Sequence, residues 1–519
     1  MANIENSLNA TVTVEPEPLH PLPHTQYGHF IEHLGMCIKG GIWAEGESED
    51  MFLGGVRREL VEAMKSINPA LIRYPGGCFA DGYHWQDGIG PRDARPMRKN
   101  RAWAKMGRRH GPVEDNRFGT DEFLQLCDAV GAESQITVNV GSGTAEEAAA
   151  WVEYCNGPAD SGWGKVRAEN GRREPYNVKY WYVGNEIFGI HEIGHQKPTI
   201  YINTFKEYAR AMRKVDPDIK LIACGNILPG RMGKSINRAV LTGAGREMDY
   251  LSIHHYAPNL FSLKKILQFD IARRKGSNSP SIYYDIIGSY QMIKDFVERS
   301  LRDVRSYSPS EKRVPLCFDE WNLWIYFYGD TIISNYNLRD GLWVATMLNY
   351  FHSVAPEMPL TNIAQMVNCI GIINSTHKGT FLTPSALVYK LYTEHAGESF
   401  LSGSVEVTAI PHKTELPALD ISATRTDGKV ALFMVNRHYN AEIVADCSLN
   451  GLAVSPEAKR IEMHHPNLVQ YNTFDNPKAV QLKESDETLS VAKEGAGSRF
   501  QLSLPPHSLT CLKLDVSSL

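Results

Sequence analysis

No run of roughly 18 apolar residues occurs in the 519-residue chain, so no membrane-spanning helix is expected. The first residues lack the basic start and apolar stretch of a secretory signal, and cytoplasmic residence is expected. The nine cysteines are odd in number, scattered and free of any CxxC pair. They do not form a disulfide framework or a zinc ribbon, and they fit a reducing compartment. Gly40–Gly41 and Gly141-Ser-Gly143 lack the spacing of phosphate-binding loops, so no nucleotide cofactor is expected. The GxSxG spacing of a serine nucleophile is absent. Among His254, His255, Asp319, Glu320, Glu186 and Asp81 there is no HxxxH or HxH pair, and no metal is expected. The net charge is only -5, from 54 basic and 59 acidic residues, which gives no reason to expect a nucleic-acid partner. A basic cluster runs from Arg92 to Arg109 and includes Arg95, Arg98, Lys99, Arg101, Lys105 and Arg108. Its Gly, Pro and acidic neighbours mark a solvated loop face rather than a polyanion site. Internal repeats and low-complexity tracts are also missing.

What remains is a large, ordinary globular composition with 43% hydrophobic residues, too long for one average domain. From about residue 26 to 395, short apolar runs alternate with helical patterns. The candidate strands are Tyr27–Ile31, Leu71–Pro75, Gln135–Val140, Lys179–Asn185, Lys220–Asn226, Tyr250–Tyr256, Pro315–Trp321 and Asn362–Asn368. Continuous apolar runs of this length suit parallel strands buried on both faces. Between them Gly55–Ile67, Thr120–Val130, Ala145–Tyr154 and Thr199–Val215 carry helical spacing. In the last of these, Phe205, Tyr208, Ala209, Met212 and Val215 form the apolar stripe. Eight strands alternating with helices predict an α/β fold, a (β/α)8 barrel spanning residues 19–395.

After residue 396 helical patterning gives way to short strands punctuated by turns such as Asp427–Gly428 and Asn450–Gly451. The predicted strands are Val405–Ile410, Leu419–Arg425, Val430–Arg437, Glu442–Leu449, Arg460–His464, Leu489–Ala492, Arg499–Leu504 and Leu509–Leu514. An antiparallel β-sandwich over 396–519 is the natural reading, with residues 1–18 adding a strand to it.

The barrel runs end on polar groups: Glu32, Arg73, Asn139, Asn185 with Glu186, Asn226, His254 with Tyr256, Asp319 with Glu320, and Gln365. Barrel enzymes carry their chemistry at the carboxyl ends of the strands. Glu186 and Glu320 close two such runs. Glycoside hydrolysis needs two carboxyl groups flanking the scissile bond, one protonated and one ionised. Arg73 could hold one carboxylate ionised by short-range attraction. Trp321, Trp324, Tyr326, Phe327 and Tyr328 follow Glu320, and Tyr83, His84 and Trp85 follow the second strand. Aromatic faces of this kind stack on sugar C–H surfaces, although about half of these should serve packing alone. Of His254 and His255, adjacent on one strand, only one can face the barrel axis.

An ordered series of motifs makes the reading sharper. It comprises Tyr27-Gly-His-Phe-Ile-Glu-His-Leu-Gly35, Arg73-Tyr-Pro-Gly-Gly-Cys-Phe79, Tyr83-His-Trp85 with Gly88-Ile-Gly-Pro-Arg92, Asn116-Arg-Phe-Gly-Thr-Asp-Glu-Phe123 and Asn139-Val-Gly-Ser-Gly143. It continues with Gly184-Asn-Glu186, Ser252-Ile-His-His-Tyr256, Asp319-Glu-Trp-Asn322 and Asn362-Ile-Ala-Gln-Met-Val-Asn368. With this series the chain resembles the α-L-arabinofuranosidases of glycoside hydrolase family 51. The resemblance implies exo-acting release of terminal α-L-arabinofuranosyl groups from oligosaccharides, by a retaining double displacement without metal or cofactor. It implies a cytoplasmic homohexamer. Glu186 looks like the acid/base and Glu320 like the nucleophile. Glu32, Arg73, Asn185 and Gln365 look like pocket residues, His254 and Tyr256 like neighbours of the carboxylates, Trp324 like a subsite wall, and Cys78 like a residue near the furanose. Rival readings keep the chemistry on another sugar (a β-D-galactofuranosidase, β-xylosidase or endo-glucanase) or make the chain a non-catalytic sugar-binding protein.

The chain departs from the family pattern after Gly184-Asn-Glu186, where His191 stands at about the place of a usual Trp. Asp81-Gly-Tyr83 replaces a more usual Asp-Glu-Tyr. The stretch Asn259–Asp295 is a candidate lid. These departures bear on the leaving-group side rather than on the furanose pocket.

Overall fold

The computed structural model describes residues 7–103, 113–227, 230–258, 279–324, 334–411, 416–495 and 497–518. Eight parallel strands close into a barrel: Gly28–Phe30, Leu71–Tyr74, Glu133–Val138, Tyr180–Val183, Lys220–Cys224, Tyr250–Ala257, Leu316–Leu323 and Leu360–Ala364. Each overlaps one of the eight apolar runs, the last by only three residues, Leu360–Ala364 against the expected Asn362–Asn368. These strands are buried along nearly their whole length, because helices cover the outer face and side chains fill the interior.

The helix Pro198–Val215 shows how the crossovers dock. Proline at its first turn suits the entry, and Tyr201, Phe205, Tyr208, Ala209 and Met212 are buried on one face. Val215, expected on that stripe, is 39% exposed. It is the last helical residue, and Asp216 already turns the chain into extended backbone. The helix Thr120–Val130 begins with Glu122 accepting from Gly119 N at 2.9 Å, and ends on left-handed Gly131. The basic loop is held by ion pairs. Arg92 and Arg95 meet Glu122, and Arg98 meets Asp87. Lys105, Arg108 and Arg109 lie outside the described residues.

The second unit is one ten-stranded sheet. Its order runs from edge to edge as Leu482–Thr488, Leu452–Met463, Ser508–Ser518, Lys429–Asn436, Leu419–Thr426, Ser399–Glu406, Ser7–Pro21, Glu442–Asn450, Gly497–Leu504 and Ala492–Glu494. It curls on itself, so that Val454 N donates to Ser498 Oγ at 3.0 Å. Pairing is antiparallel except where Ser7–Pro21 lies parallel to Glu442–Asn450. The expected strand Val405–Ile410 is found earlier, at Ser399–Glu406, and Leu482–Thr488 is a strand the pattern does not predict.

Helices Leu338–Ser353 and Pro384–His395 are the layer on which this sheet rests. Tyr392 stacks on Phe433 with ring centroids 4.2 Å apart, and His352 Nδ1 meets Ser422 Oγ at 2.7 Å. The sheet therefore braces the side of the barrel, and the carboxyl ends of the strands are left to the loops.

Candidate active site

Arg73, from the second barrel strand, is the buried centre of the site. Its guanidinium lies between the rings of Phe30 and Tyr182, 5.0 and 4.6 Å from their centroids. Nε donates to Thr137 Oγ1 at 3.1 Å and Nη2 to Asn185 Oδ1 at 2.7 Å. Nη1 lies 3.3 Å from Glu320 Oε2 and 3.3 Å from Asp319 Oδ2. Aromatic faces and four polar partners leave the cation no freedom to swing, so it sets the position of the groups around it.

Asp319 and Glu320 are consecutive, and a regular strand would send them to opposite faces. The pairing of Leu316–Leu323 with both neighbours shifts register there, between Ser252 and His254 on one side and between Phe318 and Trp321 on the other. This local bulge lets both carboxylates reach Arg73. Tyr256 OH donates to Glu320 Oε1 at 2.6 Å, so each oxygen of Glu320 has a donor.

Glu186 follows Gly184, whose φ is +84°, and itself has φ +40°. A non-glycine residue adopts this left-handed backbone at a cost on the order of 1–3 kcal/mol. Its carboxylate meets His254 Nδ1 through Oε1 at 2.9 Å and His191 Nε2 through Oε2 at 3.0 Å. His254 in turn contacts Asp319 Oδ2 at 3.2 Å, and Ser252 Oγ donates to Asp319 Oδ1 at 2.6 Å. His255 points away and stacks on Phe296, as strand alternation requires. One oxygen each of Glu186 and Glu320, together with a ring nitrogen of His254, lie within 4.8 Å of one another.

Glu32 closes the opposite wall. Its Oε1 accepts from Phe79 N at 3.1 Å and from Trp103 Nε1 at 3.0 Å, and its Oε2 from Gln365 Nε2 at 3.1 Å. Gly77 approaches the carboxylates so closely that a Cβ there would sit 3.2 Å from Glu320 Oε2 and 3.3 Å from Asn185 Nδ2. Trp324 packs edge-on against Tyr256, centroids 5.0 Å apart. Cys78 lines a neighbouring cavity of about 1060 Å³ with Phe79, Trp103, His191 and Glu192.

The charges follow from these contacts. Burial would raise Glu186, but hydrogen bonds from His191 and His254 outweigh it and hold the carboxyl below the ordinary range. Burial raises Glu320; His254 pulls it down, the neighbouring Glu186 pushes it up, and the net direction is upward. Burial would lower His254, yet Asp319 and Glu320 drive it up to about 10. The bonds from Glu186 and Glu192 raise His191 to about 10 as well. Burial, reinforced by the charge of Glu320, raises Glu32 to about 8.

All ten expected site residues fall within this region: Glu186 and Glu320 with Arg73, Asn185, His254 and Tyr256 in one network, Glu32 with Gln365 beside it, and Trp324 and Cys78 on its flanks. Sequence reasoning does not select Trp103, which comes from the basic loop, nor Ser252; it notes Asp319 at a strand end but gives it no role, and Asp319 and Ser252 support His254. It also overlooks Glu192, to whose Oε1 Asn185 Nδ2 donates at 3.3 Å. The available signal was His191-Glu-Ile-Gly-His195, which has the HExxH spacing of zinc proteases. Here these residues form turns rather than a helix, and His195 Nδ1 is bonded to Gly189 O. Trp85 belongs to the core, against Trp151, Tyr154 and Trp163. Tyr326, Phe327, Tyr328 and most of the candidate lid, residues 259–278, lie outside the described residues.

Comparison with known proteins points one way. Residues 63–274 match the family described as the alpha-L-arabinofuranosidase 1 domain, and residues 319–508 the alpha-L-arabinofuranosidase C-terminal domain. Alpha-L-arabinofuranosidase C of Emericella nidulans is 32% identical, over 94% of this chain and 94% of its own. The intracellular exo-alpha-L-arabinofuranosidase of Bacteroides ovatus is 31% identical, over 98% of this chain and 96% of its own. The solved family 51 alpha-L-arabinofuranosidase of Thermotoga petrophila superposes with a TM-score of 0.85 at 31% identity, covering 97% of this chain and 100% of that one.

Proposed function

The chain belongs to the α-L-arabinofuranosidases of glycoside hydrolase family 51, and we propose on that footing how its residues divide the work. It is a glycoside hydrolase. Its substrate is a terminal, non-reducing α-L-arabinofuranosyl group on an oligosaccharide. Glu320 is the nucleophile and Glu186 the acid/base.

The observation that carries this reading is the approach of the two carboxylates, with oxygens within 4.8 Å of each other. Retaining enzymes keep the two groups about 5–5.5 Å apart, whereas inverting ones leave about 6.5–9.5 Å for a water molecule. In the first step a Glu320 oxygen forms a bond to the anomeric carbon as the glycosidic C–O bond breaks. Glu186 gives a proton to the departing oxygen. In the second step water attacks the same carbon, Glu186 takes its proton, and Glu320 leaves. Tyr256 and Arg73, bonded to the two oxygens of Glu320, orient it and stabilise its returning charge. The proton for the first step comes from the Glu186–His191 pair, which shares it across a 3.0 Å bond.

Glu32, Gln365 and Asn185 suit the sugar hydroxyls, and the buried Gln365 Oε1 has no partner among the described residues. Trp324 and Cys78 flank the furanose. The partners are arabinofuranosyl oligosaccharides, not nucleic acid or membrane, and the chain acts as a cytoplasmic homo-oligomer, a hexamer in keeping with the family resemblance. A relative named intracellular supports the compartment. No helix among the described residues is long and apolar enough to cross a membrane.

Hydrolysis of 4-nitrophenyl α-L-arabinofuranoside by the native protein and by Glu320→Ala tests the assignment, with the β-D-galactofuranoside and β-D-xylopyranoside alongside. Turnover of the arabinoside that is lost in the variant is expected. Faster turnover of another glycoside would overturn the sugar, and binding without turnover would overturn the enzyme reading.

A further inference from the structure

Cys78, His191 and Glu192 each offer one ligand atom, and the three atoms lie within 4.8 Å of one another beside, but outside, the Glu186–Glu320 pair. They come from two separate segments: the loop after the second strand and the turn after the fourth. Three features mark them as more than neighbours. First, their types differ: a thiol, an imidazole and a carboxylate are the donors that borderline-soft divalent ions of the zinc class take together. Second, one spacing fits closely and the others lie within reach. Bonds of about 2.0–2.3 Å at tetrahedral angles put ligand atoms about 3.3–3.8 Å apart; His191 Nε2 lies 3.3 Å from Glu192 Oε1, and the thiol sulfur lies within 4.8 Å of both. Third, Glu192 is buried, and its second oxygen, Oε2, has no hydrogen-bond partner among the described residues. A buried carboxylate oxygen left unpaired costs stability unless something answers it.

Access and charge agree. The set opens on the cavity that Phe79 and Trp103 share, and the His191 side chain is 54% exposed. Of the nine cysteines, Cys78 alone is not fully buried. Burial, and after it the charges of Glu192, Glu186 and Glu32, oppose a bare thiolate at Cys78. The same field attracts a cation, and a bound divalent ion deprotonates its thiol outright. The other mixed group, Glu186 with His254 and Glu320, is a poor rival. Its oxygens are already bonded to Tyr256, His191 and Arg73, and the Arg73 guanidinium repels a second cation.

We propose that Cys78, His191 and Glu192 form a zinc-class metal site at the mouth of the active site, with a fourth position left to water. Binding releases two protons to solvent, one from the Cys78 thiol and one from His191 Nε2, and turns His191 from Glu186 to the ion. Occupancy therefore silences turnover, a consequence that rests on the reading of Glu186 as acid/base. The binding itself does not rest on that reading.

Titration of the full chain with Co²⁺ tests the site directly. A thiolate-to-cobalt charge-transfer band that saturates at one ion per chain and is displaced by Zn²⁺ is expected. It should vanish in Cys78→Ser, and affinity should fall in His191→Ala by at least the roughly 10- to 100-fold that even an outer partner of a metal site is worth. Circular dichroism checks that each variant is folded. If Cys78→Ser does not fold, His191→Ala, altered at an exposed turn, decides alone. No band, or a band unchanged in His191→Ala, would overturn the site. Saturable binding with loss of arabinoside turnover supports the whole proposal. Binding with turnover intact would uphold the site and overturn its hold on Glu186.

Discussion

His191 Nε2 lies 3.0 Å from Glu186 Oε2, so the carboxyl proposed as acid/base shares a proton with an exposed imidazole. His191 is raised to about 10 by the bonds to Glu186 and Glu192, while Glu186 is held below the ordinary range. The pair thus keeps a transferable proton until the pH approaches 10. In His191→Gln the exposed imidazole that shares the proton is gone, only His254 still bonds Glu186, and the proton leaves at lower pH. The alkaline limb of the kcat/KM profile should move down in pH. An unmoved limb would mean that Glu186 acts without its imidazole.

Loss of the acid matters in proportion to how badly the leaving group needs a proton. Glu186→Ala should lose about 10²- to 10⁴-fold in kcat on an arabino-oligosaccharide, the usual worth of a general acid. On 4-nitrophenyl α-L-arabinofuranoside the loss in the first step should be smaller, because nitrophenolate departs without help. Equal losses on both substrates would count against the acid role.

Gly77 tests how finely the two carboxylates are positioned. A Cβ at 3.2 Å from Glu320 Oε2 and 3.3 Å from Asn185 Nδ2 forces shifts of a few tenths of an ångström. Gly77→Ala should lower kcat about tenfold, short of the roughly 10²-fold that a full 1 Å misplacement can cost. Its melting temperature should stay near that of the native chain. A large drop in melting temperature with unchanged kcat would reverse the interpretation.

Asp81 reports on the electrostatics beneath the site. Burial and the charge of Glu192 raise it to about 8, although Oδ1 accepts from Val140 N, and Oδ2 is buried without a hydrogen-bond partner among the described residues. The folded chain then binds this proton more tightly than the unfolded chain. The contribution is fully favourable below the ordinary aspartate range and is lost as pH rises towards 8. Asp81→Asn cannot titrate, so it should gain on the native chain as pH rises from 5 to 8.5. Urea denaturation at the two pH values measures this. A gap that does not change with pH would show Asp81 ionised throughout.

Much of this architecture can be read along the chain, and the exceptions have physical causes. Tyr180–Val183 and Leu316–Leu323 announce themselves because parallel barrel strands are apolar on both faces. Glu186 and Glu320 stand out because a buried strand has no structural need to end on a carboxylate. Asp319 is obscured by the alternation rule, which the bulge at this point breaks. Leu482–Thr488 carries almost no apolar pattern. It is an edge strand, exposed along its length and held by backbone pairing to Leu452–Met463. Trp103 and Glu32 are 71 positions apart, and only the closed barrel reveals that the indole N–H reaches the carboxylate.

The most direct test of the central claim is azide rescue of Glu320→Ala on 4-nitrophenyl α-L-arabinofuranoside, with the product anomer read by proton NMR. With the proposed nucleophile removed and Glu186 intact, azide takes the vacated face, and β-L-arabinofuranosyl azide is the expected product. The α-azide would make Glu320 the acid/base instead, and full activity without azide would remove it from the chemistry altogether.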